Sequence, residues 1–157
     1  MEYFTIGQYF TKLNIRLLII ILTLIVAFVV AYFLTTLHPE SKAWLTRTQI
    51  ISIIAANWAI MFLYYFKKIK SIANDQGLGL KLTKFFYLTI VRYILIAFGC
   101  LFLLYSFYVT KDDAMTGIFV LNLILMAVLW PTSTKVCRDL KLRGDEREMV
   151  FYKKDQL

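Results

Sequence analysis

Three polar side chains fall inside long apolar stretches of this 157-residue chain: Asn57, Arg92 and Asn122. A guanidinium presents parallel N–H donors that match a phosphate or a carboxylate, so Arg92 could bind a lipid phosphate or a partner's carboxylate. It also lies near one end of its stretch, where a long basic side chain can snorkel to the headgroups; this is the reading taken to the structure. Asn57 and Asn122 sit at comparable depth and could line a shared polar pocket or a narrow pore. Each could instead hydrogen-bond a neighbouring helix, worth roughly 0.6 to 2 kcal/mol in a membrane. That structural reading is the expectation for both.

The rest of the chain offers little chemistry. Its one histidine, His38, stands beside Pro39 and Glu40 with no second metal ligand at a useful spacing. Cys100 lies inside an apolar stretch and Cys137 in a charged segment, which suggests neither a disulfide nor a zinc site. No glycine-rich phosphate loop, Cys-x-x-Cys pair or nucleophile elbow is present. No aspartate or glutamate falls inside an apolar stretch, which argues against proton-coupled transport while leaving a passive pore open. The expectation is a non-enzymatic protein with no catalytic residue, no cofactor and no metal.

Those residues must be positioned by the apolar stretches themselves. Hydrophobic residues make up 60% of the chain, and they gather into four blocks near 17–37, 49–66, 85–109 and 115–130. A helix needs about 20 residues to cross the hydrocarbon core, so the fourth block is short, and Pro131 ends it. The fold expected is an all-α membrane protein of four transmembrane helices in two antiparallel hairpins. The first block is too long for a signal peptide and is read as a retained helix. Ahead of it, Tyr3, Ile6, Phe10, Leu13 and Leu17 share one helical face, which predicts a short amphipathic helix lying in the headgroup region or docking on a partner. Thr23, Ala27, Ala31 and Thr35 in the first block, and Ser52, Ala55, Ala56 and Ala59 in the second, form small-residue stripes suited to close helix approach. Trp44 suits an interfacial anchor in the first loop. Gly77 and Gly79 predict a flexible middle linker. After 1–130, residues 131–157 read as a charged tail in which Thr132 or Ser133 caps a short helix reaching Leu142, with Gly144 as its stop. The run Met149-Val150-Phe151-Tyr152 could be a strand, a membrane-touching segment or a docking peptide.

Charge sets the orientation. Lys12, Arg16, the lysines of the middle linker, Arg92 and seven residues of the tail put fifteen basic residues on one side, against Lys42, Arg47 and Lys111 on the other. The positive-inside rule then places both termini and the linker in the cytoplasm. The net charge of +8 follows the ends of the apolar blocks. That placement suits anionic lipid headgroups as the partner and argues against nucleic acid. The two hairpins share an architecture, each ending in an asparagine-bearing block and a basic segment, but few residues align between them.

Several segments of the second half carry a resemblance to a known group. Ile90-Val91-Arg92-Tyr93 opens the third block; Trp130-Pro131-Thr132, Arg138-Asp139-Leu140-Lys141-Leu142 and Glu146-Arg147 follow the fourth. From Phe85 onward the chain resembles small four-helix membrane proteins of unknown function common in Bacteroidota. Those proteins often carry an acidic residue after the arginine, where this chain has Ala97-Phe98-Gly99. The resemblance implies a bacterial inner membrane and supplies no activity. The leading expectation is an accessory or scaffold subunit of an inner-membrane complex, with a membrane-protein partner or further copies of the chain beside it. A passive channel or small-solute permease formed by an oligomer is the second reading, and a toxin-immunity or defence role the third.

Overall fold

A computed structural model describes residues 5–37 and 46–153. The readings of Tyr3, His38 and Trp44 fall outside the described residues. The described chain forms six helices: α1 (Ile6–Leu37), α2 (Arg47–Ala73), α3 (Leu78–Thr110), α4 (Asp113–Val128), α5 (Ser133–Asp139) and α6 (Gly144–Tyr152). Helices are what long apolar segments must form in lipid, because each backbone N–H and C=O then finds a partner within its own segment. Three of them, α1 to α3, are long and apolar enough to cross a membrane; α4 and α5, bent by 81°, supply a fourth crossing if taken as one broken span.

The helix ends follow local chemistry. Thr46 and Gln49 form a capping box at the start of α2, each side chain bonded to the other's backbone N–H. Gly77, at φ +88°, turns the chain from α2 into α3, a backbone conformation that residues with a Cβ rarely adopt. Asp112 caps α4 through the N–H of Ala114 at 3.0 Å, and Thr132 caps α5 through that of Lys135 at 3.4 Å. Between α2 and α3 only residues 74–77 are non-helical, where the sequence suggested a flexible linker. Both helices run on past the apolar blocks and carry the linker's lysines with them. Lys84 closes the turn with an ion pair to Asp75 at 2.9 Å.

The bundle is organised around α3, which packs against α1, α2 and α4. Half of the most apolar window of α3 is buried, compared with 22% for α2 and 11% for α1. α1 finds its main contact on α3 rather than on α2, its neighbour in sequence. It also stacks Phe28 on Phe119 of α4, with ring centroids 5.1 Å apart.

Two sequence expectations need correcting. The N-terminal amphipathic segment is no separate helix in the headgroup plane, because α1 runs unbroken through it. Its apolar face (Ile6, Phe10, Leu13 and Leu17) is buried within the protein. Tyr9 meets Phe86 of α3, and Lys153, just past α6, lies over Phe10, which explains why this face needs no lipid. In the tail, α5 stops at Asp139 and the chain turns at Lys141, φ +52°. Gly144 then opens α6 instead of ending α5, and the run 149–152 is helical, with Val150 buried. Lys81 of α3 fastens α6 through Glu146 at 2.9 Å. The N-terminal part of α1, the α2–α3 turn and the tail are thus gathered at one end of the bundle.

Candidate functional site

α4 has 16 residues, about 24 Å of helix, and breaks before the roughly 30 Å of a hydrocarbon core is crossed. Every helix leaves its last four carbonyls without intrahelical donors, a serious cost where water is scarce. Here each is provided for. The backbone N–H groups of Leu129 and Trp130 reach the carbonyls of Leu125 and Ala127 at 2.9 and 3.2 Å. Tyr93 of α3 donates its hydroxyl to the carbonyl of Met126 at 2.6 Å. Lys135 of α5 donates its ammonium to the carbonyl of Val128. Arg92 of α3 donates from Nη2 to the carbonyl of Leu129 at 2.9 Å. Adjacent residues of α3 and the first turn of α5 therefore cap α4 from outside it. The cap is also electrostatically apt, since a helix C-terminus carries partial negative charge and draws cations.

Arg92 is turned in among the helices instead of extending from the surface of the bundle. It is only 5% exposed. Its guanidinium lies over the Tyr65 ring of α2 at 4.3 Å, a cation–π contact that strengthens with desolvation. Tyr65 in turn donates its hydroxyl to Asp139 of α5 at 2.8 Å. A chain of contacts thus runs from α3 through α2 to the tail. Arg92 and Asp139 flank a cleft of about 250 Å³, whose wall also includes Lys135 and Arg138 with Phe62, Phe66 and Val128. Among the described residues Arg92 has no ion-pair partner, and its Nε has no hydrogen-bond partner.

The two asparagines occupy a second polar layer and behave differently. Asn122 of α4 is fully buried. Its Oδ1 accepts from the Trp58 indole N–H of α2 at 2.9 Å, and its Nδ2 donates to the carbonyl of Ile118 at 2.9 Å. Asn57, one residue before Trp58, points toward α3 instead. Gly99 lies beside it, and a Cβ at that position would come within 3.2 Å of Asn57 Oδ1. That oxygen is buried with no hydrogen-bond partner among the described residues. The sequence paired Asn57 with Asn122 by depth; the structure gives them different neighbours on different helices.

Trp58, Tyr65 and Lys135 take part in these contacts and were not singled out from the sequence; Tyr93 and Asp139 stood there only within the segments that carry the resemblance, with no role of their own. The signal that could have found Tyr93 and Lys135 is Pro131: a short apolar helix stopped by proline must borrow donors from its neighbours. In the tail, Cys137 is buried and its Sγ lies 3.8 Å from the carbonyl of Arg147. Burial pushes its thiol above the ordinary range, with the Arg147 charge pulling the other way. Among the described residues no group of three or more histidines, cysteines or acidic residues gathers to hold a metal ion. No protein-family model, curated protein or solved structure matches this chain.

Proposed function

We propose that this chain is a multi-pass protein of the bacterial inner membrane, with both termini in the cytoplasm, serving as a non-enzymatic scaffold or accessory subunit. The observation that carries this reading is that the polar groups within the apolar helices serve to close the bundle. Arg92 and Tyr93 cap α4, and Asn122 ties α4 to α2 through Trp58. A pore lined by both asparagines would need them on a common aqueous path, whereas Asn122 is sealed with both ends of its amide engaged. The cytoplasmic placement is supported by the basic bias of one side and by the gathering of the α1 start, the α2–α3 turn and the tail at one end. The outward faces of α1 and α2 leave Leu18, Leu22, Phe33, Ile60 and Leu63 exposed, a surface for lipid or for a membrane partner.

Affinity capture of the full chain from its native membrane in mild detergent tests the scaffold role. Stoichiometric recovery of another membrane protein is expected, and recovery of the chain by itself counts against it. Reporter fusions at each terminus test the orientation separately, and an external signal from either one overturns it.

A further inference from the structure

We infer that the cleft between Arg92, Lys135 and Arg138 is a binding site for the phosphate of an anionic phospholipid. The first reason is the state of Arg92. A guanidinium that is 5% exposed has lost most of its hydration, and such a charge is costly unless opposed. Among the described residues what opposes it is one backbone carbonyl and two aromatic faces, Tyr65 at 4.3 Å and Tyr93 at 5.9 Å. Its Nε is buried with no partner among the described residues. The one carboxylate of the cleft, Asp139, is directed to the Tyr65 hydroxyl at 2.8 Å and to its own neighbour Arg138 at 3.5 Å. Three cations against one engaged carboxylate leave the cleft with an excess of two positive charges. An anion with several acceptor oxygens fits that deficit, and phosphate presents them in the geometry that arginine matches best.

The second reason is the mixed lining of the cleft. The same wall includes Phe62, Phe66 and Val128, the last two well exposed on the outside of the bundle. A free phosphate would gain nothing from those apolar side chains, but a lipid would lay its acyl chains along them. After α4 the chain turns by 81° into α5, which brings Lys135 and Arg138 into the cleft wall beside Val128 and Leu129. Arg138 is shared with a wider cleft of about 510 Å³ that gathers Lys141, Arg143 and Arg147, which extends the attraction for anionic headgroups into the cytoplasm.

The inference rests on the membrane placement proposed above, which carbonate extraction of the native membrane reads independently, and not on the scaffold role. The experiment titrates the purified full chain in micelles with phosphatidylglycerol or with phosphatidylcholine and counts retained lipid by native mass spectrometry. Phosphatidylglycerol is expected to be retained in preference to phosphatidylcholine. Arg138→Gln, at an exposed position, should weaken that retention about five-fold, since one basic residue near a lipid surface contributes about 1 kcal/mol. Asp139→Asn keeps an acceptor for Tyr65 while removing the opposing charge, and should strengthen retention. Equal retention of the two lipids, or no response to either variant, overturns the proposal. Displacement of phosphatidylglycerol by inorganic phosphate at equal concentration overturns it in favour of a soluble ligand.

Discussion

Arg92 and Leu129 are joined by a 2.9 Å hydrogen bond that sets a charged side chain of α3 against the open end of α4. The two residues stand 37 positions apart, and Tyr93 repeats the arrangement one residue on by reaching Met126. A helix too short for its surroundings is completed by the helix next to it. Replacing Arg92 with Met keeps much of the side-chain volume but strands the Leu129 carbonyl, and should lower stability by about 1–3 kcal/mol. Thermal unfolding of the purified chain in one detergent measures this. Tyr93→Phe removes only a hydroxyl and should cost about 1 kcal/mol by the same assay. An unchanged midpoint for both would show that α4 does not depend on these donors.

The two asparagines should respond in opposite ways to leucine. Asn122→Leu leaves the buried Trp58 indole N–H without its acceptor and should destabilise by about 1–2 kcal/mol. Asn57→Leu removes a buried oxygen that has no donor, so it should be neutral or stabilising, the outcome expected when an unsatisfied group is deleted. Equal losses from the two would contradict the separate environments described above. Neither change is expected to alter solute flux in liposomes.

Gly99 lets α2 approach α3 at the level of Asn57. Gly99→Ala brings a methyl group within 3.2 Å of Asn57 Oδ1, so the amide must yield by a few tenths of an ångström. A cost of about 1 kcal/mol is expected for Ala, and Val at this position should cost more, as overpacking of a filled interface does. The sharper measurement is the combination with Asn57→Ala, which vacates the space and should recover most of the loss. Additive losses would place the strain elsewhere.

Cys137 should label slowly in the folded chain. Burial holds its thiol above the ordinary range, so little thiolate is present at neutral pH, and thiolate is the reactive form. Maleimide labelling in a Cys100→Ala background should therefore keep rising with pH beyond about 8.5, where an unfolded control levels off as its thiol ionises at the usual value. The linkage has the same sign. A thiol whose folded pKa is raised makes its full contribution to stability below the unfolded pKa and loses it as pH climbs toward the folded one. A folded profile that coincides with the control would mean that the α5–α6 packing is open in solution.

What could be read from the sequence divides along a physical line. Hydropathy and length place the apolar helices, because lipid demands internally bonded backbone from any stretch that crosses it. The ends of α3 and α4 near Val109 and Met115 and the stop at Pro131 follow from charge, Asp112 and proline, which act locally. Contacts between helices do not. Trp58 meets Asn122 across 64 residues and Tyr65 meets Asp139 across 74, and no periodicity within α2 distinguishes those two aromatics from Tyr64 or Phe66 beside them. Arg92 was visible as an anomaly, but its direction was not, since snorkelling outward and capping inward ask for the same residue at the same depth. The N-terminal face was also visible as apolar; that Phe86 and the α6 end cover it depends on how far α1 and α3 extend beyond the lipid-length core.

The placement of donors on α3 bears on how such a chain is assembled. Synthesis proceeds from the N-terminus, so Arg92 and Tyr93 are already made when α4 emerges 20 residues later. The carbonyls of Met126 and Leu129 then have donors at hand. Lys135, on α5, follows α4 and adds the last donor, to Val128. Two of the three side chains that close this helix end thus precede it in the chain.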